Sequence, residues 1–468
     1  MKRHLLNTIT LVLIMCVLLP LTSMAQDKEF YLRPSYWKPY DQRGMNIFET
    51  SKAADTLAFE GLRIRFGAGF TQQFQSLKHK NTAVNNDLAT ITLPDGSKKV
   101  GNKLYPLQAG FNTAMANLFT DVQLSDGIRL NLTTYLSTRH HNEAWVKGGY
   151  IQFDKLPFNS PFFNKLMEVA TIKIGHMEIN YGDAHFRRSD GGHAIQNPFM
   201  ENYIVDAFAT EIGGEVYLQK NGLFGMLGVS NGMIKGHVDS AYKTVQDDNI
   251  KRNPSIYLKG GIDKSFTENL RVRVSGSFYH NSSQAGSGLT LYSGDRAGSN
   301  YWMVLDAENY LNRDNGKIEK NTYAAGSTSG RFNPGFSKEI NAIMLNGFLK
   351  AGGLELFGTY EKAKGRSKTE VAKREMNQLA GDVIYRFGKN ENLYVGGRYN
   401  TVKSEMMVAG NLNDVKINRT ALAGGWFVTR NVLMKGEYVI QKYKDFPSSD
   451  IRNGGKFNGY VIEAVVGF

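Results

Sequence analysis

The sequence has one cysteine and eleven prolines in 468 residues and, beyond its first 25 positions, no apolar run long enough for a membrane helix. Each shortage excludes something. Cys16 lies in an apolar stretch near the N-terminus, so once that stretch is removed the chain has no thiol, no disulfide framework and no cysteine-based metal site. A lipid anchor at Cys16 is disfavoured, because Leu13-Ile14-Met15 ahead of it lacks the small residues such processing prefers. Few prolines beside 49 glycines and 12% aromatics argue against a disordered or fibrous chain and suit many strands. Mean hydropathy is negative, and by itself would describe a soluble secreted protein.

The N-terminus has the layout of a secretory signal. Lys2 and Arg3 precede an apolar stretch from Leu11 to Leu21, and Ser23-Met24-Ala25 places small residues at the first and third positions before a cut. Pro20 interrupts the stretch, which falls short of the roughly 20 residues a spanning helix needs. Residues 1–25 are therefore expected to be a signal peptide cleaved after Ala25. The formal charge of +13 becomes +11 when Lys2 and Arg3, two positive charges, leave with it. A basic balance suits nucleic acid, acidic headgroups or anionic solutes. Export argues against the first, so no nucleic-acid partner is expected.

After residue 60 the apolar residues recur with period 2. Leu62, Ile64, Phe66, Ala68 and Phe70 form one series, with Arg63 and Arg65 on the other face. Ile128, Leu130, Leu132, Thr134 and Leu136 alternate with Arg129, Asn131 and Tyr135. Leu270, Val272, Val274, Gly276 and Phe278 alternate with Arg271, Arg273, Ser275 and Ser277, and Leu393, Val395, Gly397 and Tyr399 with Tyr394, Arg398 and Asn400. This is a strand period, and about 9–11 residues with one face for lipid and one for water let a tilted strand cross a bilayer.

The connections alternate too. Short turns fall at Ser125-Asp126-Gly127, Lys220-Asn221-Gly222, Thr267-Glu268-Asn269, Ala351-Gly352-Gly353, Lys389 to Asn392 and Thr429-Arg430-Asn431. Between them lie longer polar stretches at 139–143, 178–206, 231–254, 281–340, 363–376, 403–415 and 443–456. The exception, 155–168, sits at a turn position, where Pro157, Pro161 and Asn164 to Met167 suggest a short helix or an extended turn. The pattern is that of an all-β protein, a transmembrane antiparallel β-barrel of about 16 strands (roughly 14–18), with short periplasmic turns and long extracellular loops. Its expected parts are a segment over 26–60 that stays periplasmic or enters the lumen, and a barrel over 61–468. Within 281–340, Leu289 to Tyr292 and Tyr301 to Leu305 form either another hairpin or a loop folded into the pore, and 178–206 is the other candidate to constrict it. The last strand places Tyr460, Ile462, Ala464, Val466 and Phe468 on one face, a terminal aromatic of the kind that the barrel-assembly machinery reads. Tyr438, Tyr460, Phe468, Phe387 and Phe427 mark an aromatic girdle.

In this architecture the chain resembles a bacterial outer-membrane porin, and its strand count and basic lumen are similar to the phosphate-selective porin family. The resemblance covers residues 60–468 as architecture. It implies contact with outer-membrane lipid, passive diffusion of small hydrophilic or anionic solutes, no enzymatic activity, no cofactor and a homotrimer. That family concentrates arginines and lysines on a pore-folded loop, which is not matched here residue by residue.

With apolar faces outward, Arg63, Arg65, Arg129, Lys173, Lys259, Arg271, Arg273, Arg386, Arg398 and Lys435 face the lumen as anion-facing candidates. Glu215, Asp263, Glu355, Asp382, Glu437 and Glu463 also face inward and can pair with them across strands. The stretch 180–203 is the most distinctive. His185 and His193 with Asp183 and Asp190 have the chemistry of metal ligands, and Arg187 and Arg188 that of anion donors. Their spacing matches no metal motif, so turns and wall-packing aromatics are the preferred reading and no metal is expected. His140-His141 reads as a polar loop tip.

Three other functions stay open. In a barrel with a plugged lumen, acting as a substrate-specific transporter, Gln26 to Ala58 with Tyr31, Tyr36, Trp37 and Tyr40 would serve as a small hatch. An outer-membrane hydrolase could draw only on Asp183, His185 and Ser189, without a Gly-x-Ser-x-Gly signature. A soluble carbohydrate-binding sandwich would make the alternation of long and short connections a coincidence.

Overall fold

The structure, a computed structural model, describes residues 34, 36–50, 52, 57–93, 95–137, 143–232, 243, 252–282, 288–295, 297–312, 315–322, 329–408 and 410–468. Residues 1–25, with Cys16 and the cut after Ala25, and the pair His140-His141 lie outside them.

Sixteen long antiparallel strands follow in order: β1 (Arg63–Lys80), β2 (Met115–Ser125), β3 (Ile128–Ser137), β4 (Glu143–Phe153), β5 (Ala170–Glu178), β6 (Thr210–Lys220), β7 (Leu223–Ser230) and β8 (Ser255–Thr267). The second half comprises β9 (Leu270–Ser282), β10 (Glu339–Ala351), β11 (Leu354–Arg366), β12 (Arg374–Phe387), β13 (Leu393–Val408), β14 (Asn411–Thr429), β15 (Val432–Lys444) and β16 (Lys456–Gly467). Each pairs with its neighbours in sequence, and β1 pairs with β16 from Gly69↔Gly467 to Lys80↔Lys456. At the seam the Phe468 N–H donates to Ala68 O at 3.1 Å and Phe468 O accepts from the Ala68 N–H at 2.9 Å. The sheet is thereby closed and leaves no unpaired edge, as a lipid environment requires.

The period-2 pattern sorts side chains between two solvents. Leu422 is 62% exposed and Val383 55%, with Ile64, Val274, Leu345 and Ile462 also standing on the outer surface. Gln73, Asn117, Gln152, Ser275, Asn400 and Gln441 are buried inside. So much exposed aliphatic surface around a polar interior is the arrangement of a barrel that spans a bilayer. Tyr438, Tyr460, Phe468 and Phe387 lie on the outer surface, but Phe427 is 1% exposed and points inward. Counting from Leu422, strand parity turns Trp426 outward and Phe427 in. The irregular connection before β5 holds a short helix, α1 (Pro161–Met167), with proline in its first turn where a missing N–H costs nothing.

Three segments fill much of the lumen: residues 36–50, the loop 179–209, and the described parts of 288–305 and 329–338. Ile179, Tyr181, Ile195, Phe199 and Ile204 of the first loop join Leu291, Tyr292, Tyr301 and Val304 of the second in one buried cluster with the wall. The described parts of 288–305 and 329–338 therefore fold into the pore, while the hairpin between them, Asn309–Leu311 with Ile318–Lys320, is part-exposed and adds no strand to the barrel. Loop 179–209 lies directly on β1 at Gly69, where a Cβ would come within 2.8 Å of the His193 Cβ and 2.9 Å of Gly192 O. Glycine is what allows that approach.

Candidate functional site

The wall grips loop 179–209 largely through its backbone. Lys435 on β15 donates to Ala194 O, Asn197 O and Phe199 O at 3.0–3.1 Å while pairing with Glu463 at 2.7 Å. Arg398 on β13 donates to Glu201 O at 2.7 Å and holds Asp382 through two bonds of 2.7 and 2.8 Å. Arg419 on β14 donates to Asn202 O at 2.6 Å and to Gly330 O, in the second loop, at 2.8 Å. In return the Met200 N–H donates to Glu437 at 2.9 Å, and Tyr301 of the second loop also donates to Glu437. Arg331 ties the loops together by pairing with Glu201 at 3.1 Å.

Side-chain ion pairs complete the attachment. Asp183 accepts two bonds of 2.8 Å from Arg273 and one of 2.7 Å from Ser275, and lies 2.7 Å from Lys259. Glu49 pairs with Lys259 at 3.0 Å and Arg273 at 2.7 Å. Glu355 on β11 receives Arg187 from the loop at 2.5 Å and Arg386 from β12 at 2.9 Å. Arg188 pairs with Asp206 and lies 3.6 Å from Asp295. Charges buried this way are tolerable only because they are paired.

The N-terminal segment covers the short-turn end. Tyr40 stacks on Phe119 at 4.1 Å and donates to Asp121 at 2.9 Å, and Asp121 also pairs with Arg65. Arg271, paired with Asp263 at 2.7 Å, donates to Asn46 O at 2.9 Å. Lys38 donates to Ile47 O at 3.0 Å and Gln196 at 3.1 Å, and burial lowers its pKa to about 8, an effect opposed by the nearby Glu178.

Two adjoining cavities remain. One of about 250 Å³ lies in the middle of the barrel against β2 to β6 and loop 179–209, reaching Thr133, Lys147 and Thr210 towards the long-loop end. The other, about 780 Å³, opens at the short-turn end beside Lys220, Phe224, Arg271 and Arg273. Both are bordered by Tyr36, Lys38, Phe48, Glu49 and Thr50, so the N-terminal segment stands between them.

All ten wall cations point inward, and eight have a carboxylate partner, Arg63 reaching the exposed Glu60 at 3.6 Å. Among the described residues, Arg129 and Lys173 are the two of the ten without one. Arg129 is held by Gln152 at 2.6 Å, and Lys173 lies over the Tyr150 and Tyr217 rings at 5.1 and 4.8 Å.

The loop candidates for metal or catalysis do not converge. Asp183 is committed to Arg273 and Lys259, and Asp190 to Lys147. His185 bonds Asn180 at 2.9 Å and faces Glu178 at 3.3 Å, while Ser189 donates to Met200 O at 3.0 Å. His193 packs edge-on against Tyr40 and Phe119. Among the described residues no three His, Cys, Asp or Glu side chains group as a metal site would need. Arg419 was legible by strand parity and was missed, whereas Lys147 turns inward at an irregularity in the β3–β4 register that parity does not reveal; Lys38, Asn46 and Glu49 belong to an irregular segment that gives no such signal.

No protein-family model matches the chain, and no curated protein matches it. Solved structures similar to it include the anion-selective porin from Comamonas acidovorans, at 8% identity over 87% of this chain and 100% of that one, TM-score 0.49. The outer membrane channel DcaP of Acinetobacter baumannii is 11% identical over 88% and 99%, TM-score 0.48, and the outer-membrane protein OmpT of Vibrio cholerae 9% over 88% and 99%, TM-score 0.46.

Proposed function

We propose that this chain is an outer-membrane porin of the solute-selective kind, passing small hydrophilic solutes by passive diffusion with a preference for anions. The observation that carries this reading is a pair of adjoining cavities inside a closed barrel with an apolar exterior, one beside loop 179–209 and the other beneath it at the short-turn end. Sixteen strands enclose enough space for a passage, and the two cavities lie along β2 to β9, where it would run. On this reading residues 1–25 direct export and are removed after Ala25. The short turns face the periplasm, Phe468 presents the terminal aromatic to the barrel-assembly machinery, and the barrel works as a homotrimer without catalysis. The unpaired Arg129 and Lys173 give the narrow part an excess of positive charge, which supports the anion preference but does not single out phosphate.

A plugged, substrate-specific transporter is the second reading, supported by the packing of residues 36–50, 179–209 and the described parts of 288–305 and 329–338 inside the wall. Single-channel recording of the refolded protein in a planar bilayer under a salt gradient separates the two. Stepwise openings with an anion-shifted reversal potential are expected; insertion without current would overturn the passive channel.

A further inference from the structure

We propose that the mid-barrel cavity is a binding subsite for a small aromatic carboxylate, gripped by Arg129 and Lys173 on either side of Tyr150; this rests on the channel reading above. The cavity's carboxylates are engaged elsewhere: Glu49 by Lys259 and Arg273, Asp121 by Arg65, Asp190 by Lys147, and Glu178 faces His185. Arg129 and Lys173 line the same space, and no carboxylate lies within ion-pairing distance of either among the described residues. A buried cation such as Arg129 without a counter-charge is costly, and a passing anion supplies one beside the part-exposed Lys173.

Strand register places these two cations for a joint grip. Arg129 on β3 stands opposite Gln152 on β4, and Gln152 opposite Lys173 on β5, so the three form one row across the wall. The Arg129 guanidinium lies 5.6 Å and the Lys173 ammonium 5.1 Å from the same Tyr150 ring. The Nη2 of Arg129 donates to Gln152 at 2.6 Å, and among the described residues no hydrogen bond occupies its Nη1. That leaves a donor for one carboxylate oxygen, with the ammonium available to the other.

The rest of the lining selects the body attached to that carboxylate. Tyr36 lies under Arg129 at 5.1 Å, Tyr217 under Lys173 at 4.8 Å, and Phe119 borders the same cavity. With one face of each ring already taken by Arg129, Lys173 or Tyr40, a planar ring meets this lining edge to face, a contact that a hydrated inorganic oxyanion does not make. The cavity of about 250 Å³ is large enough, since an apolar cavity of about 150 Å³ holds benzene.

Benzoate is the probe. Added to open channels in potassium chloride, it is expected to reduce the current at a concentration about tenfold below that needed for acetate, inorganic phosphate or benzyl alcohol. Lys173→Gln and Arg129→Gln, each normalised to its own unblocked current and checked for folding by heat-modifiable mobility, are expected to raise that concentration about tenfold. Equal block by acetate and benzoate, or unchanged benzoate block in both variants, overturns the subsite while leaving the channel standing. If the barrel inserts but passes no current, the channel reading fails, and equilibrium dialysis of radiolabelled benzoate against the refolded protein in micelles decides the subsite. Binding lost in Lys173→Gln retains it, and absence of binding overturns it.

Discussion

Asp183 on the inserted loop and Arg273 on β9 are joined by two hydrogen bonds of 2.8 Å, a planar fork of donors meeting a planar carboxylate across 90 residues of sequence. Lys259 shares the same carboxylate, so removing it leaves two buried cations with Glu49 as their nearest common counter-charge. Asp183→Asn is expected to destabilise the barrel by about 3–5 kcal/mol, the usual cost of breaking a buried pair from one side. It should also loosen the loop and raise single-channel conductance. Urea unfolding in lipid vesicles and bilayer recording check the two effects, and a variant with unchanged stability would show that the pair does not hold the loop.

The outer and inner faces of one strand should respond oppositely to charge. Leu422 on β14 is 62% exposed on the outer surface, while Arg419, three residues earlier, is 1% exposed in the lumen. Leu422→Arg is expected to cost roughly 2–4 kcal/mol, the depth-dependent penalty for arginine facing lipid. Arg419→Leu removes donors to Asn202 O, Gly330 O and Gln441, and should loosen both loops at once. Reversible unfolding in vesicles measures the first, and proteolysis within 179–209 and 288–338 reads the second.

These contrasts show what the sequence made legible. Strand placement followed from parity alone: Leu270 to Phe278 against Arg271 to Ser277 fixes which side chains meet lipid, whatever the loops do. The same parity rule, applied beyond arginines already noticed, would have turned Phe427 inward and found Arg419. The loop interior is different in kind. Met200 reaches its acceptor Glu437 across 237 residues and Tyr301 reaches the same carboxylate across 136, and no local period marks which loop carbonyl a wall cation will take. The ten lumen cations could be picked out in the sequence, and so could the wall acids that neutralise Arg271, Arg386, Arg398 and Lys435, but Lys259 takes its acids, Asp183 and Glu49, from segments with no regular structure.

The N-terminal segment should act as a partial obstruction. Tyr40 anchors it by stacking on Phe119 at 4.1 Å, by donating to Asp121 at 2.9 Å, and by lying 4.8 Å from the Arg65 guanidinium. Tyr40→Ala removes all three contacts and joins more of the short-turn cavity to the mid-barrel one. Conductance is expected to rise while the heat-modifiable folded form persists, since the strands do not depend on this segment. An unchanged conductance would place the narrowest point elsewhere, most simply at loop 179–209.

Lys38 gives the passage a pH dependence that can be read electrically. It borders both cavities, outside the spanning strands, and burial lowers its pKa from 10.5 to about 8, with Glu178 pulling in the other direction. A lysine is charged below its pKa, so Lys38 carries its charge at about pH 7 and loses it by about pH 9.5, where an ordinary lysine is still charged. The fixed positive charge along the route therefore falls as pH rises through 8. Anion preference, measured as reversal potential under a constant salt gradient, should weaken between those two pH values. Lys38→Gln should show the weaker preference at both and remove most of the change. A wild-type reversal potential that stays constant over that range would mean that permeating ions do not sense Lys38, and the route would then have to run along another part of the wall.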